Sequence, residues 1–302
     1  MLNIQPDSIA TLTPPEPDRG QLAVFVRTLF KHAAPGGIVS IRAFPHDRGR
    51  ALFVYSFRIK PDDELNSVID GATRWAREAA KVGGVFSPPV ATFKKVYKAT
   101  ESNLAEGFAV TVECDEYPQQ ALAKLSELIG PPTMIVESGG RWANPETGKD
   151  EPKLHLHWRL TVPARDPDSL ARLKKARAFA TAIVGSDPTN VPINHPLRWP
   201  GSWHLKNPAN PRPCWIVDVN ENEIDLDTVY DILRDAAPAV DVAKAEKLKH
   251  ARSGKASERL PRVCPLDEPW RIIAPYRHQR THRVDGFRTE QLPASGSLAR
   301  ME

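Results

Sequence analysis

The sequence predicts an α+β fold in which a split βαβ unit packs with an N-terminal α/β unit into one core. Helical and strand periodicities alternate through roughly the first 237 residues. The later part of that stretch follows the order β-α-β-β-α-β, the split βαβ arrangement. Helix boundaries are marked, by Asp166-Pro167 at a start and by Gly83-Gly84, Gly130 and Gly185 at ends. A chain of 302 residues is long enough to bury such a core.

Residues 1–20 hold Asp7, Glu16 and four prolines and read as a flexible leader, without the basic start and apolar run of a signal peptide. The N-terminal unit spans 21–104. Leu22, Phe25, Val26, Leu29 and Phe30 follow helical spacing and end near Pro35-Gly36-Gly37. Strands are expected at 38–44 and 51–59, then a helix over 63–82. Residues 85–98, with Pro88, Pro89, Lys94, Lys95 and Lys98, form an extended basic connector.

The second unit spans 105–237. Its first strand, 107–114, sends Phe108, Val110, Val112 and Cys114 to one face and Thr111, Glu113 and Asp115 to the other. A helix over 119–129 follows, then a short strand at 134–137, the Ser138-Gly139-Gly140 turn and a polar loop over 141–153. A strand at 154–162 leads to a helix over 166–184. Residues 188–200 are irregular except for a short strand at 197–199, and a strand at 215–219 and a helix at 226–236 close the unit. RRM-like palms share this order and leave one sheet face for nucleic acid or metal chemistry.

Composition narrows the function classes. Cys114, Cys214 and Cys264 form no CxxC pair, which argues against a zinc ribbon or a disulfide framework and suits a reducing cytoplasm. No run reaches the roughly 18 apolar residues of a membrane span. The net charge of +4 is uneven: from Asp241 onward there are 13 Lys+Arg and 8 Asp+Glu, while the rest is near neutral. The tail, 238–302, therefore reads as a basic segment, either holding a phosphate backbone or simply solvated. Trp270, Ile272, Ile273 and Tyr276 suggest a small docking segment within it.

Glu113 and Asp115 share a face at a strand end, within reach of one cation. Alone such a pair is an ordinary surface feature, because close carboxylates repel unless a cation or proton lies between them. Mg²⁺ is commonly held by one or two carboxylates and substrate phosphates. Asp187, beyond the helix end at Gly185, is a third carboxylate from a separate element, as a two-metal phosphoryl-transfer site needs. In Leu154-His155-Leu156-His157-Trp158-Arg159-Leu160 the leucines and tryptophan alternate with three cationic or donor side chains, suited to a nucleotide triphosphate. Arg198-Trp199-Pro200-Gly201-Ser202-Trp203-His204-Leu205-Lys206 interleaves aromatics with cations, a pattern for stacking and phosphate contact, with at least one tryptophan expected in the core.

These motifs resemble those of archaeo-eukaryotic-type primase-polymerases, particularly the RepB-like DNA primases of plasmids and phages. The resemblance rests on Val112-Glu113-Cys114-Asp115, on Ser138-Gly139-Gly140 with His155 and His157, on Asp187, and on the R-x-P-G stretch at Arg198 with Lys206. It covers 108–206 well and 20–104 loosely. It implies a DNA primase-polymerase that makes primers on single-stranded DNA from NTPs or dNTPs. Glu113, Asp115 and Asp187 would bind two Mg²⁺ or Mn²⁺ ions. Ser138, His155 or His157, Arg198 and Lys206 would contact nucleotide or primer. Glu113 stands where aspartate is usual, the 141–153 insertion separates the small-residue turn from His155, and His157 stands where tyrosine is common. No G-x4-G-K-[ST] loop occurs, so a helicase would be a separate protein.

His155-Leu156-His157 also resembles the His-hydrophobic-His motif of nicking relaxases and rolling-circle initiators, for which Tyr230 is the candidate nucleophile. A non-catalytic, primase-like DNA-binding module is the other alternative.

Overall fold

The computed structural model describes residues 14–46 and 49–238, all within one structural unit. Helix α1 (Arg19–Leu29) begins where the Asp18 carboxylate accepts from the Gln21 amide, and it buries Leu22, Phe25, Val26 and Leu29 along one face. Residues 14–20, expected as flexible leader, are tied down in their second half. The Asp18 amide donates to the Gly201 carbonyl (2.8 Å), Trp203 Nε1 donates to the Glu16 carbonyl (2.9 Å), and Arg77 pairs with Glu16.

The hairpin β1 (Ile38–Phe44) and β2 (Phe53–Arg58) leads to α2 (Asn66–Lys81), the short strands β3 (Val85–Phe86) and β4 (Ala91–Phe93), and a 3-10 turn. The connector expected over 85–98 is thus partly strand. Then come β5 (Leu104–Cys114), α3 (Pro118–Ile129), β6 (Met134–Ala143), β7 (Asp150–Ala164) and α4 (Pro167–Ile183). A 3-10 turn (Pro188–Asn190), the two-residue strands β8 (Trp203–His204) and β9 (Arg212–Pro213), β10 (Trp215–Val219) and α5 (Leu226–Ala236) complete the described chain. The short strand expected at 197–199 is absent there, and Trp199 is instead a fully buried core side chain. Residues 239–302, with the expected basic tail and its aromatic segment, lie outside the described residues.

One sheet runs through both units in the order β10-β6-β7-β5-β4-β1-β2, with β3 beside β1. β5–α3–β6 is a split βαβ unit, because β7 pairs antiparallel with both of its strands. The fourth strand departs from the RRM-like order: β10 pairs with β6, while the outer edge of β5 is taken by β4. The two expected units therefore meet strand to strand. Buried Glu106 strengthens the join, accepting from Thr92 and the Ala34 amide and pairing with Arg165.

Each sheet face carries its own apolar cluster. Val110, Val112, Cys114, Leu154, Leu156, Trp158 and Leu160 pack under α3, α4 and α5. On the other face Phe108, Met134, Val136, Phe86 and Trp199 pack against α1 and α2. Phe108 was expected with Val110; a register shift between Gly107 and Ala109 turns it to the opposite face, as a bulge does. There it meets Phe30 at 5.0 Å between ring centroids, and Phe25 meets Trp199 at 5.0 Å. Burying each such ring contributes about 1.5–3 kcal/mol. The face expected to stay free for chemistry is consequently covered over much of its area by α1.

The loop expected over 141–153 is largely strand as well. β6 and β7 continue past the Ser138-Gly139-Gly140 segment, and a short turn closes on Asn144, whose side chain accepts from the Glu146 and Thr147 amides and donates to Glu151. Among the described residues no helix is long and apolar enough to cross a membrane.

Candidate active site

The β5–β7 register places Glu113 opposite His155 and Thr111 opposite His157, all on the α1 side of the sheet. At the open end of this row Glu113 holds two imidazoles: Oε1 lies 3.6 Å from His155 Nε2 and Oε2 lies 3.7 Å from His195 Nε2. Its partial burial favours protonation, but the two imidazoles outweigh that and hold its pKa well below the usual carboxylate range. Glu113 is therefore an anion at neutral pH. Asp115, just past the strand, is half exposed and pairs with Lys153 at 3.3 Å. Gly140 makes that pair possible, since a Cβ there would lie 2.7 Å from Lys153 Cδ.

Near the carboxylates lies a buried cation. Arg198 Nη1 donates to the Ser138 carbonyl at 2.6 Å, which fixes the guanidinium against β6. Burial lowers its pKa while Glu113 and Asp115 act to raise it, so the charge is retained next to the acid pair. Gly139, at φ +75°, lets His204 and the Arg212–Pro213 backbone approach: a Cβ there would lie 2.7 Å from His204 Cβ. His204 and Arg212 are opposite one another in the β8–β9 ladder. Ser138 is buried, and its hydroxyl accepts from the Gly140 amide.

The other expected site residues are placed differently. His157 is only 1 % exposed; its Nδ1 meets Thr111 Oγ1 at 3.1 Å and its ring packs edge-on against Phe25 at 5.7 Å. Burial, with His155 and Arg177, pushes its pKa well down, so it is a neutral core histidine rather than a nucleotide contact. Arg159, the third member of the alternating row, is equally buried and pairs with Glu221 and Glu223. His155 is buried too, but its Nδ1 has no hydrogen-bond partner and its other nitrogen faces Glu113. Lys206 is exposed, two residues beyond β8.

Asp187 lies on a loop that passes the same end of β5, because the neighbouring Ser186 hydroxyl meets Cys114. Its own carboxylate is exposed and caps the following turn, accepting from the Thr189 amide at 2.8 Å. The carboxylate triad expected from sequence is therefore not closed: among the described residues no group of three His, Cys, Asp or Glu is positioned to hold a metal ion. Glu113 and Asp115 fit a divalent cation in the narrower sense of two hard oxygen donors at one strand end, with substrate phosphates completing the shell.

Tyr230 belongs to the opposite face. It packs on Phe179 at 5.6 Å and beneath Arg172 and Arg234, in the cluster that contains Leu154 and Leu156. The sheet stands between it and both histidines, which removes the geometry that a tyrosine nickase requires. Both described cysteines are buried, and burial raises each thiol to about 12, so neither offers a nucleophile.

His195, Lys153, His204 and Arg212 were not singled out as site residues from sequence. His195 stands in an irregular stretch with no periodicity to show its direction, and Lys153 was expected in a loop. The proximity of His204 to Arg198 along the chain was the only available signal for the hairpin.

No family model and no curated protein sequence matches the chain. Among solved structures, the AEP domain (PP-N190) of the primase-polymerase (PrimPol) of cyanophage S-2L matches with a TM-score of 0.52 at 15 % identity, covering 72 % of this chain and 100 % of that one. The catalytic domain of primase RepB′ in complex with initiator DNA matches at 0.47 and 10 % identity, covering 78 % of this chain and 100 % of that one. A second structure of primase RepB′ matches at 0.47 and 11 % identity, covering 77 % and 67 %. The chain has an archaeo-eukaryotic primase-like fold. At these identities the likeness is one of fold.

Proposed function

We propose that this chain is a primase-polymerase that joins nucleotides on a single-stranded DNA template, in the replication of a plasmid or phage. The observation that carries this reading is the placement of Glu113 and Asp115 at the end of β5 beside Arg198, with Ser138 and His155 between them. An acid pair near a fixed cation suits a reaction in which a phosphoryl group is held and its charge balanced.

In this reading Arg198 and Lys206 hold phosphates of the incoming nucleotide. The Ser138 carbonyl keeps the Arg198 guanidinium aimed, so little reorganisation is needed on binding. His155 from β7 and His195 from a separate loop orient the Glu113 carboxylate. A divalent ion, Mg²⁺ or Mn²⁺, held by Glu113 and Asp115 would supply neutralisation of the triphosphate charge, with Asp187 the carboxylate proposed for a second ion. Lys94, Lys95 and Lys98, all exposed, offer a basic track for the template strand. A separate replicative helicase is the proposed partner.

The test is extension on single-stranded DNA with labelled rNTPs or dNTPs, with Mg²⁺ and with Mn²⁺. Product from the wild type and its loss in Asp115→Asn, with DNA binding retained, supports the reading. DNA binding with no nucleotide incorporation under any of these conditions overturns it in favour of a non-catalytic module.

A further inference from the structure

We propose that His204 and Arg212, on the β8–β9 hairpin beside Arg198, form an anion-binding station for the outer phosphates of a nucleoside triphosphate. This rests on the nucleotide-binding reading above and extends it to two residues that reading does not use.

Three features point to an anion supplied from outside. First, His204 Nδ1, Arg198 Nε and Arg212 Nε are all sealed from solvent without a hydrogen-bond partner. Second, among the described residues no carboxylate pairs with Arg198 or Arg212, and the Ser138 carbonyl that Arg198 does meet carries no counter-charge. A guanidinium drawn out of water without a counter-charge is costly, and a ligand phosphate would offset that cost. Third, the hairpin is built against the site: Gly139 admits His204 and the Arg212 carbonyl at contact distance, and His46 from the end of β1 approaches the His204 ring at 6.3 Å between centroids.

The order of the groups sets which phosphates reach the hairpin. Arg198 is fixed at the Ser138 carbonyl, and the residue after Ser138, Gly139, lies against His204 and the Arg212 backbone, which places the hairpin beside Arg198. His204 is a neutral donor there: burial first, then Arg198 and Arg212, lower its pKa to about 4. A nucleotide with its reacting phosphate at Glu113 and Asp115 would extend its remaining phosphates across Arg198 toward His204 and Arg212. A monophosphate would not reach them.

The experiment is calorimetric titration of the full chain with inorganic tripolyphosphate, dATP, dAMP and a single-stranded oligonucleotide. For Arg212→Gln the expected result is tripolyphosphate and dATP binding weakened about tenfold, the size of one lost charge-assisted contact. Binding of dAMP and of the oligonucleotide should stay as in the wild type, and Arg212→Lys should recover part of the loss. His204→Asn gives a second reading if Arg212→Gln melts early. Unchanged tripolyphosphate affinity in both variants overturns the proposal, as does a loss confined to the oligonucleotide, which would make the hairpin a strand-phosphate contact. If tripolyphosphate binding depends on Arg212 but the wild type incorporates no nucleotide, the station stands and the polymerase reading fails.

Discussion

Glu113 and His155 face each other directly across the β5–β7 ladder, with Oε1 3.6 Å from Nε2, and His195 reaches the other carboxylate oxygen from a separate loop. The pair joins a buried strand position to the open end of the sheet, where Asp115 and Arg198 lie. Glu113→Gln keeps the shape and removes the charge. Templated incorporation is expected to fall by about 10²–10³-fold, the scale seen when a preorganised electrostatic contact is removed. Single-turnover extension on a primed template measures it, and an effect below a few-fold would place Glu113 outside the chemistry.

His195 acts on the same carboxylate without sharing its strand. His195→Ala should lower the extension rate by about two- to fivefold, the order of one lost part-exposed ion-pair contact. Oligonucleotide affinity should be unchanged, because the imidazole faces Glu113 rather than the exposed lysines. Parallel rate and affinity measurements check both statements.

His157 gives a prediction about pH. Its folded pKa is well below the ordinary histidine value of about 6.5 because burial disfavours the imidazolium. The unfolded chain therefore binds a proton more readily, so protonation favours unfolding. The stability from the neutral, buried ring is fully present above about pH 6.5 and is lost as pH falls below it, by at most about 1.4 kcal/mol per pH unit. Urea unfolding at pH 7.5 and pH 5.5 should show this loss, and His157→Gln should flatten it. An equal slope in both proteins would contradict the assignment.

Phe25 tests the covering of the sheet by α1. It is 1 % exposed and touches both Trp199 and His157. Phe25→Ala should cost about 3–5 kcal/mol by cavity formation, read as a lowered midpoint in chemical denaturation. A change under about 1 kcal/mol would mean that α1 does not close this face.

Tyr230→Phe should leave extension unchanged and produce no loss of any DNA-joined species, since the tyrosine lies on the far face of the sheet. Denaturing gels of labelled DNA incubated with wild type and variant provide the readout. A covalent protein–DNA band dependent on Tyr230 would contradict the placement.

Local periodicity made much of the fold legible. The spacing of Leu22, Phe25, Val26 and Leu29, the Asp166-Pro167 helix start and the alternation of Leu154 to Leu160 all correspond to elements at or near the expected bounds. Alternation says that two faces differ, but not that one is open. His157 and Arg159 are polar residues that the second face buries, one neutralised by its surroundings and the other paired with Glu221 and Glu223. The shift at Gly107 that turns Phe108 over left no mark in the apolar pattern, and the β6–β7 hairpin was hidden by turn-forming residues inside a paired region. At the site, Glu113 and Asp115 could be placed together from strand phase alone. His195, Lys153 and Arg212 arrive from other elements, and only tertiary packing brings them there.

The most direct test of the central claim is metal-dependent extension on single-stranded DNA by the full chain and by Asp115→Asn, with oligonucleotide binding measured alongside. The account predicts labelled product from the wild type with Mg²⁺ or Mn²⁺, and none from the variant at equal DNA affinity. Product undiminished in Asp115→Asn, or DNA binding without any product from the wild type, would contradict it.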